Sequence, residues 1–78
     1  MCPLDRASLA LARTIRQMRE QSSRTQEDLA HDAGITTGTL SKIERADSNP
    51  SWTTVERLAR ALGISLVELA QAVERNAA

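Results

Sequence analysis

The sequence has almost no cysteine and no long apolar run. Cys2 is the only cysteine, so no internal disulfide can form, and no nearby histidine gives it the spacing of a metal site. No stretch approaches the ~20 apolar residues that cross a membrane, and the N-terminus lacks the pattern of a secretory signal. We therefore expect a cytoplasmic protein without a metal, a cofactor or a membrane anchor.

Aromatic residues and an excess of one charge are also lacking. Trp52 is the only aromatic residue, and the 41% apolar composition comes mostly from alanine and leucine, which favour helices over strands. The 78 residues suffice for one small domain. Because 10 basic and 10 acidic side chains cancel, composition alone does not argue for nucleic-acid binding. Such an argument depends on where the charges lie.

Catalytic groupings are lacking as well. Ser8, Ser41 and Ser65 have no histidine at a suitable position and no glycine-rich turn around them, so no nucleophile of a hydrolase is visible. His31 lies in a helical segment without other potential ligands, as expected of a partly exposed polar residue. We therefore predict that the protein is not an enzyme.

Five short helical segments make up most of the sequence, and turn residues separate them. The first runs from about residue 8 to 20, with apolar residues at helical spacing. Thr25 can cap the second helix in a capping box with Asp28. The caps and stops of the later helices are Thr36, Ser51, Gly63 and Ser65. We predict an all-α domain over residues 8–75, between an N-terminal tail (1–7) and a frayed C-terminus (76–78).

The connection between the second and third helices is very short. Gly34 suits the positive φ at the end of a helix, Ile35 offers an apolar plug, and Thr36 caps the next helix. A connection of about three residues requires the two helices to cross at a steep angle. We predict a helix-turn-helix at about residues 25–45.

The third helix has an outer face that suits DNA. With Leu40 and Ile43 as the buried direction, the ~3.6-residue period places Glu44 near the buried side. The outward residues offer short polar groups, a glycine that permits close approach, and two cations, which suit base edges and phosphates. They are Thr37, Gly38, Ser41, Lys42 and Arg45. A merely solvated helix face is the alternative, and the helical cost of glycine, ~1 kcal/mol, argues against it.

The segments TQEDLA, GIT, TLSKIE, NPS and LARALGI, between residues 25 and 64, resemble the lambda-repressor and Cro-like helix-turn-helix family, the Xre family of bacterial regulators. The resemblance covers Gln26 to Leu69 and implies a compact five-helix DNA-binding domain. It implies base contacts from Thr37, Gly38, Ser41 and Lys42, phosphate contacts from Gln26 and Thr36, and an inner ion pair between Arg19 and Glu44.

Two positions depart from the family pattern. Arg24 stands where the family usually has an apolar residue before the second helix, and we hypothesise that Arg24, like Arg45, contacts a phosphate. Thr37 and Gly38 lack the long amides that many relatives use to read adenine. Base reading is therefore expected to depend mostly on Lys42.

A single recognition helix contacts only a few base pairs, so we predict a homodimer on a palindromic operator with half-sites ~10 base pairs apart. The fifth helix carries more apolar residues than a small core needs. The predicted interface residues are Trp52, Leu66, Val67, Leu69, Ala70 and Val73. For Trp52, the edge of the core and the interface both stay open.

The expected function is that of a sequence-specific transcriptional regulator of double-stranded DNA. A repressor, a controller of a restriction-modification operon and an activator that touches RNA polymerase all fit, and no small-molecule ligand is evident. The alternative is a protein-interaction module with the same fold, such as an antitoxin or assembly subunit, and the neutral net charge favours it.

Overall fold

The computed structural model describes residues 6–77, and these form five α-helices and no strand. The helices are α1 (Arg6–Gln21), α2 (Gln26–Ala33), α3 (Thr37–Glu44), α4 (Trp52–Ala61) and α5 (Leu66–Ala77). The predicted all-α, five-helix fold is confirmed. Of the sequence predictions, those for residues 1–5, with Cys2, and for Ala78 lie outside the described residues. None of the described helices is both long enough and apolar enough to cross a membrane.

Both ends of the domain extend further than the sequence pattern suggested. α1 begins at Arg6, so Arg6 and Ala7 are helical although the pattern placed them in the tail. α5 continues to Ala77, so Asn76 is helical, and its Nδ2 donates to Thr14 Oγ1 at 2.6 Å. Thr14 is buried and donates in turn to the carbonyl of Ala10 at 2.7 Å. This chain of hydrogen bonds fastens the end of α5 to α1.

The core lies where all five helices meet. Its largest fully buried apolar side chains are Ile15, Leu29, Leu40, Leu58 and Leu69, one from each helix. Leu69 is only 1% exposed, so the prediction that it lies in a dimer interface is wrong. With few large side chains available, the core of a chain this short needs one leucine or isoleucine from every helix.

Local signals in the sequence set the helix boundaries as predicted. Thr25 and Asp28 form the capping box of α2, and Ser65 and Glu68 exchange the same pair of bonds at the start of α5. Gly34 has a φ of 72°, the left-handed conformation that ends α2 without steric cost. Thr25 and Gly34 thus fix where α2 begins and ends, and Ser65 fixes where α5 begins.

Candidate DNA interface

The corner between α2 and α3 is built from three consecutive residues. The amide of Ile35 donates to the carbonyl of Ala30 at 3.0 Å, which closes the end of α2 around Gly34. Thr36 then has an extended backbone, with a φ of −79° and a ψ of 155°, and its Oγ1 accepts from the amide of Thr39 at 3.0 Å. α3 therefore starts on a new axis, as the helix-turn-helix prediction requires.

α3 divides cleanly into a buried and an exposed face. Leu40, Ile43 and Glu44 face the interior. Of the predicted DNA-contact residues of this helix, Ser41 is half-buried and the others are exposed: Thr37, Gly38, Lys42 and the C-cap residue Arg45. Thr36, the predicted phosphate contact before α3, is exposed too. The orientation expected from the helical period is confirmed, and contact with DNA stays a prediction.

Gly38 has no structural reason to be glycine. A Cβ added there would have Thr36 Oγ1 as its nearest neighbour, at 4.0 Å, which is ordinary contact. Glycine near the start of a helix costs conformational entropy without any packing gain in return. Packing within the described residues therefore does not explain the glycine, and its predicted contact with a base edge stays a prediction.

The two cations of α3 have different surroundings. Lys42 is exposed, and within residues 6–77 it takes part in no ion pair. Arg45 is exposed too, but its Nε lies 3.2 Å from Oδ2 of Asp47. Lys42 is thus available to an anion or a base edge, whereas Arg45 already has a partner.

Beneath α3, a buried ionic network joins three helices. Arg19 Nε donates to Glu44 Oε2 at 2.7 Å and its Nη2 donates to Oε1 at 3.1 Å, which confirms the predicted inner ion pair. Arg19 Nη1 donates to the backbone carbonyl of Arg24 at 2.9 Å. The hydrogen bonds to Glu44 raise the pKa of Arg19 against the opposing effect of its desolvation, so the guanidinium stays charged at any physiological pH. The pair fixes the end of α3 to α1.

Gln26, the first residue of α2, belongs to the same network. Its Nε2 donates to Glu44 Oε1 at 3.0 Å and the residue is half-buried. One hydrogen of the carboxamide is therefore used inside the protein, and one is left for the predicted phosphate contact. The network holds the start of α2 and the end of α3 in a fixed relation.

Arg24 has a structural role that the sequence did not suggest. Its guanidinium reaches across to α4, where Nη1 donates to the carbonyl of Ala61 in the last turn. It also lies 3.6 Å from Oδ2 of Asp32 in α2. A cation at the carboxyl end of a helix is favourable because it satisfies a terminal carbonyl. Arg24 thus ties α2 to the end of α4, and the hypothesis that it contacts a phosphate stays a prediction.

An apolar groove of about 380 Å³ lies on another side of the molecule, between α1, α4 and α5. Trp52 lies at its edge and is 71% exposed, so the interpretation of Trp52 as a core residue is wrong. Within residues 6–77, Val67, at 66%, is the other large apolar residue with high exposure, though it does not line the groove. The predicted interface residues that line it are Trp52, Leu66, Leu69, Ala70 and Val73. Leu69 forms the buried floor.

Two residues whose partners lie elsewhere gave no signal in the sequence: Asp47 beside α3, and Thr14 between α1 and α5. Asp47 follows a helix end and is an ordinary loop residue by its pattern, and Thr14 is a polar residue on an apolar stripe. Their partners are revealed only by the fold. Among the described residues no cluster of three or more histidine, cysteine, aspartate or glutamate side chains could hold a metal ion.

Known proteins share this sequence and fold. The helix-turn-helix domain family matches residues 10–72. The HTH-type transcriptional regulator DdrOP3 of Deinococcus deserti is 33% identical over 66 residues, which are 85% of this chain and 51% of that protein. The chain thus spans about half the length of this relative.

Two solved structures of restriction-modification controller proteins are similar. C.AhdI from Aeromonas hydrophila has a TM-score of 0.77 and 29% identity, over 80% of this chain and 94% of that one. C.Esp1396I, as a tetramer in complex with its natural 35 base-pair operator, has a TM-score of 0.86 over 91% of this chain and 93% of that one. At 24% identity the second likeness concerns the fold alone. Because the family model covers most of the chain, the chain belongs to the helix-turn-helix domain family.

Proposed function

We propose that the protein is a cytoplasmic transcriptional regulator that binds a palindromic operator as a homodimer, with α3 of each protomer in the major groove. The observation that carries this proposal is the outer face of α3. It combines an unpaired cation, Lys42, with Gly38, whose missing side chain serves no purpose inside the protein. A regulatory role without catalysis is part of the proposal.

The contacts follow from the chemistry of this face. The Lys42 ammonium is the group best suited to the O6 and N7 acceptors of guanine, and Ser41 and Thr37 add hydroxyl donors. Gly38 allows the helix to approach the bases closely. The helix starts at Thr36 and Gln26 offer backbone N–H groups and the positive end of a helix dipole to the flanking phosphates.

The apolar groove supports the dimer. Trp52, Leu66, Ala70 and Val73 form an apolar surface that would be costly to leave in water. It lies on α1, α4 and α5, so a second copy covering it would leave α3 open to DNA. C.Esp1396I, which has this fold, binds its operator as a tetramer, so the fold is compatible with assembly on DNA.

The test starts from a duplex that the protein itself selects from a random library of about 30 base pairs, long enough for two half-sites one helical turn apart. We expect an enriched palindrome, and Lys42→Ala to weaken binding to it by about 10-fold or more, since a good base contact discriminates by ~1–3 kcal/mol. Arg57→Ala on α4 is the control, because it removes an equal charge from another exposed helical position. Equal binding by Lys42→Ala and the wild type would contradict the role of Lys42.

A chemical measurement checks the same contact without mutation. Lys42 is the only lysine in the chain, so a mild acylating reagent modifies only this side chain and the α-amino group. We expect the selected duplex to slow acylation of Lys42, as measured by mass spectrometry, while a scrambled duplex protects it less.

Oligomeric state is tested separately. Sedimentation at tens of micromolar should give twice the 8.5 kDa mass of the chain, and Trp52→Ala should shift the equilibrium to monomer without loss of helicity. A dimer that Trp52→Ala does not weaken would place the interface elsewhere.

Enrichment of no duplex at all would favour the alternative, a protein-interaction module of the same fold. Contact with RNA polymerase is a further proposal, tested by transcription in vitro from a promoter carrying the selected site.

A further inference from the structure

Asp47 pairs with Arg45, one of the two cations of the proposed DNA-binding helix. It comes three residues after the end of α3, and its amide donates to the carbonyl of Lys42 at 2.8 Å. Its Oδ2 accepts from Nε of Arg45 at 3.2 Å. The two side chains are 57% and 60% exposed, so the pair lies at the surface where DNA phosphates would approach.

Nothing in the fold requires a carboxylate at this position. The carboxyl end of α3 is the negative end of its dipole, where an acidic side chain is unfavourable. The backbone hydrogen bond to Lys42 is available to any residue except proline, and asparagine fits such a turn equally well. Among the described residues, the side chain of Asp47 has Arg45 as its sole ion-pair partner. The carboxylate therefore acts on the charge of this surface and not on the stability of the loop.

We propose that Asp47 is a counter-charge that lowers the affinity of the protein for DNA of any sequence. Only Nε of Arg45 bonds Asp47, so a phosphate that binds this guanidinium either displaces the carboxylate or lies close to it as a second anion, and both arrangements lower the gain in free energy. Replacing the Asp47 contact by a phosphate contact gains little free energy. Arg45 therefore contributes only weakly to binding of the DNA backbone. This inference rests on the proposed function, because it concerns the same surface of α3.

The two cations, Lys42 and Arg45, therefore have different roles in the proposed binding of DNA. Lys42 has no competing carboxylate and is free to read bases, whereas the phosphate contact of Arg45 is restrained. Contacts to phosphates supply nearly all sequence-independent binding, so this restraint keeps the protein from being held on unrelated DNA. The near-neutral charge of the chain thereby becomes compatible with a DNA regulator that searches for one site.

The experiment compares the wild type with Asp47→Asn and with a control, Glu56→Gln. Glu56 lies on α4 and pairs with Arg60 at 3.5 Å, so the control also adds one positive charge and breaks an exposed ion pair, away from α3. Binding is measured by fluorescence anisotropy with two probes, the duplex selected by the wild type and a scrambled duplex of equal composition. The salt concentration is varied from about 50 to about 200 mM.

For Asp47→Asn we expect the scrambled duplex to bind about three- to five-fold more tightly at the lowest salt, with a slope of log K against log salt that is steeper by about 0.9, which corresponds to one added phosphate contact. Glu56→Gln should change neither value measurably. An unchanged or weaker affinity of Asp47→Asn for scrambled DNA would overturn the proposal, as would an equal gain in Glu56→Gln.

Failure of the proposed function has a different signature. If the wild type selects no duplex but Asp47→Asn gains affinity for scrambled DNA and the control does not, the counter-charge is supported and the regulator is not. If the wild type selects a palindrome and Asp47→Asn behaves like the control, the regulator stands and the counter-charge fails. If neither the wild type nor Asp47→Asn binds any duplex, both fail.

Discussion

The outer face of α3 and the groove between α1, α4 and α5 are opposites in origin and chemistry. The first comes from one helix and offers hydroxyls, a glycine and a free ammonium. The second collects apolar side chains from residues as distant in sequence as Ala7 and Val73. One suits a polar, charged partner and the other an apolar one. Because they lie on different helices, the proposed DNA contact and the proposed dimer contact use different residues.

The apolar residues of α5 are of two kinds, buried and exposed, and the largest expected effect separates them. Leu69→Ala should reduce the free energy of unfolding by about 2–5 kcal/mol, because its side chain is fully buried in the core. Val67→Ala, two residues earlier and 66% exposed, should change it by less than about 0.5 kcal/mol. Urea denaturation followed by circular dichroism measures both. Similar losses from the two variants would contradict the placement of Leu69 in the core and of Val67 at the surface.

The next prediction concerns what lies beneath the α3 face. Glu44→Ala should cost about 3 kcal/mol or more, because it leaves the mostly buried Arg19 guanidinium and the Gln26 amide without their acceptor. Glu20→Ala is the matched control, since the Arg16–Glu20 pair is exposed and should contribute less than about 0.5 kcal/mol. Thermal unfolding of the two variants gives the comparison, and a small loss from Glu44→Ala would show that α3 is held mainly by Leu40 and Ile43.

Gly38→Ala, which after the Leu69 and Glu44 variants has the smallest expected effect on stability, tests the α3 face most directly. Gly38→Ala should stabilise the protein by about 0.5–1 kcal/mol, because alanine loses less entropy in a helix and its Cβ meets no close neighbour. The same variant should bind the selected duplex about 10-fold more weakly, because the methyl group holds the helix away from the bases. Opposite signs for melting temperature and affinity distinguish a contact surface from a solvated one. Unchanged affinity would mean that Gly38 is only tolerated.

The features of the molecule that could be predicted from the sequence are those that depend on local contacts. Caps, stops and helical period act within a few residues, so Thr25, Gly34 and Thr36 predicted the corner between α2 and α3, and Leu40 with Ile43 predicted which side of α3 is exposed. The ion pair of Arg19 and Glu44 was expected from the family resemblance and not from the pattern itself.

Predictions from the local pattern were less successful for residues whose contacts come from helices distant in sequence. Leu69 and Trp52 are both apolar and both were assigned to an interface on pattern, yet Leu69 is buried in the core and Trp52 lies at the surface. Helical period shows which residues share a face, but not how deeply that face is covered by other helices. Arg24 likewise reaches the end of α4, which the local pattern did not predict.

The sequence by itself therefore determined five helices, the sharp corner before α3 and the composition of the face that α3 presents. Each of these depends on contacts between residues three or four positions apart. The tertiary structure alone decided which of the two cations of α3 is free, which apolar residues are left for a partner, and that Asp47 lies against Arg45. These properties depend on the distances between side chains and on coverage by other helices, which no local pattern contains.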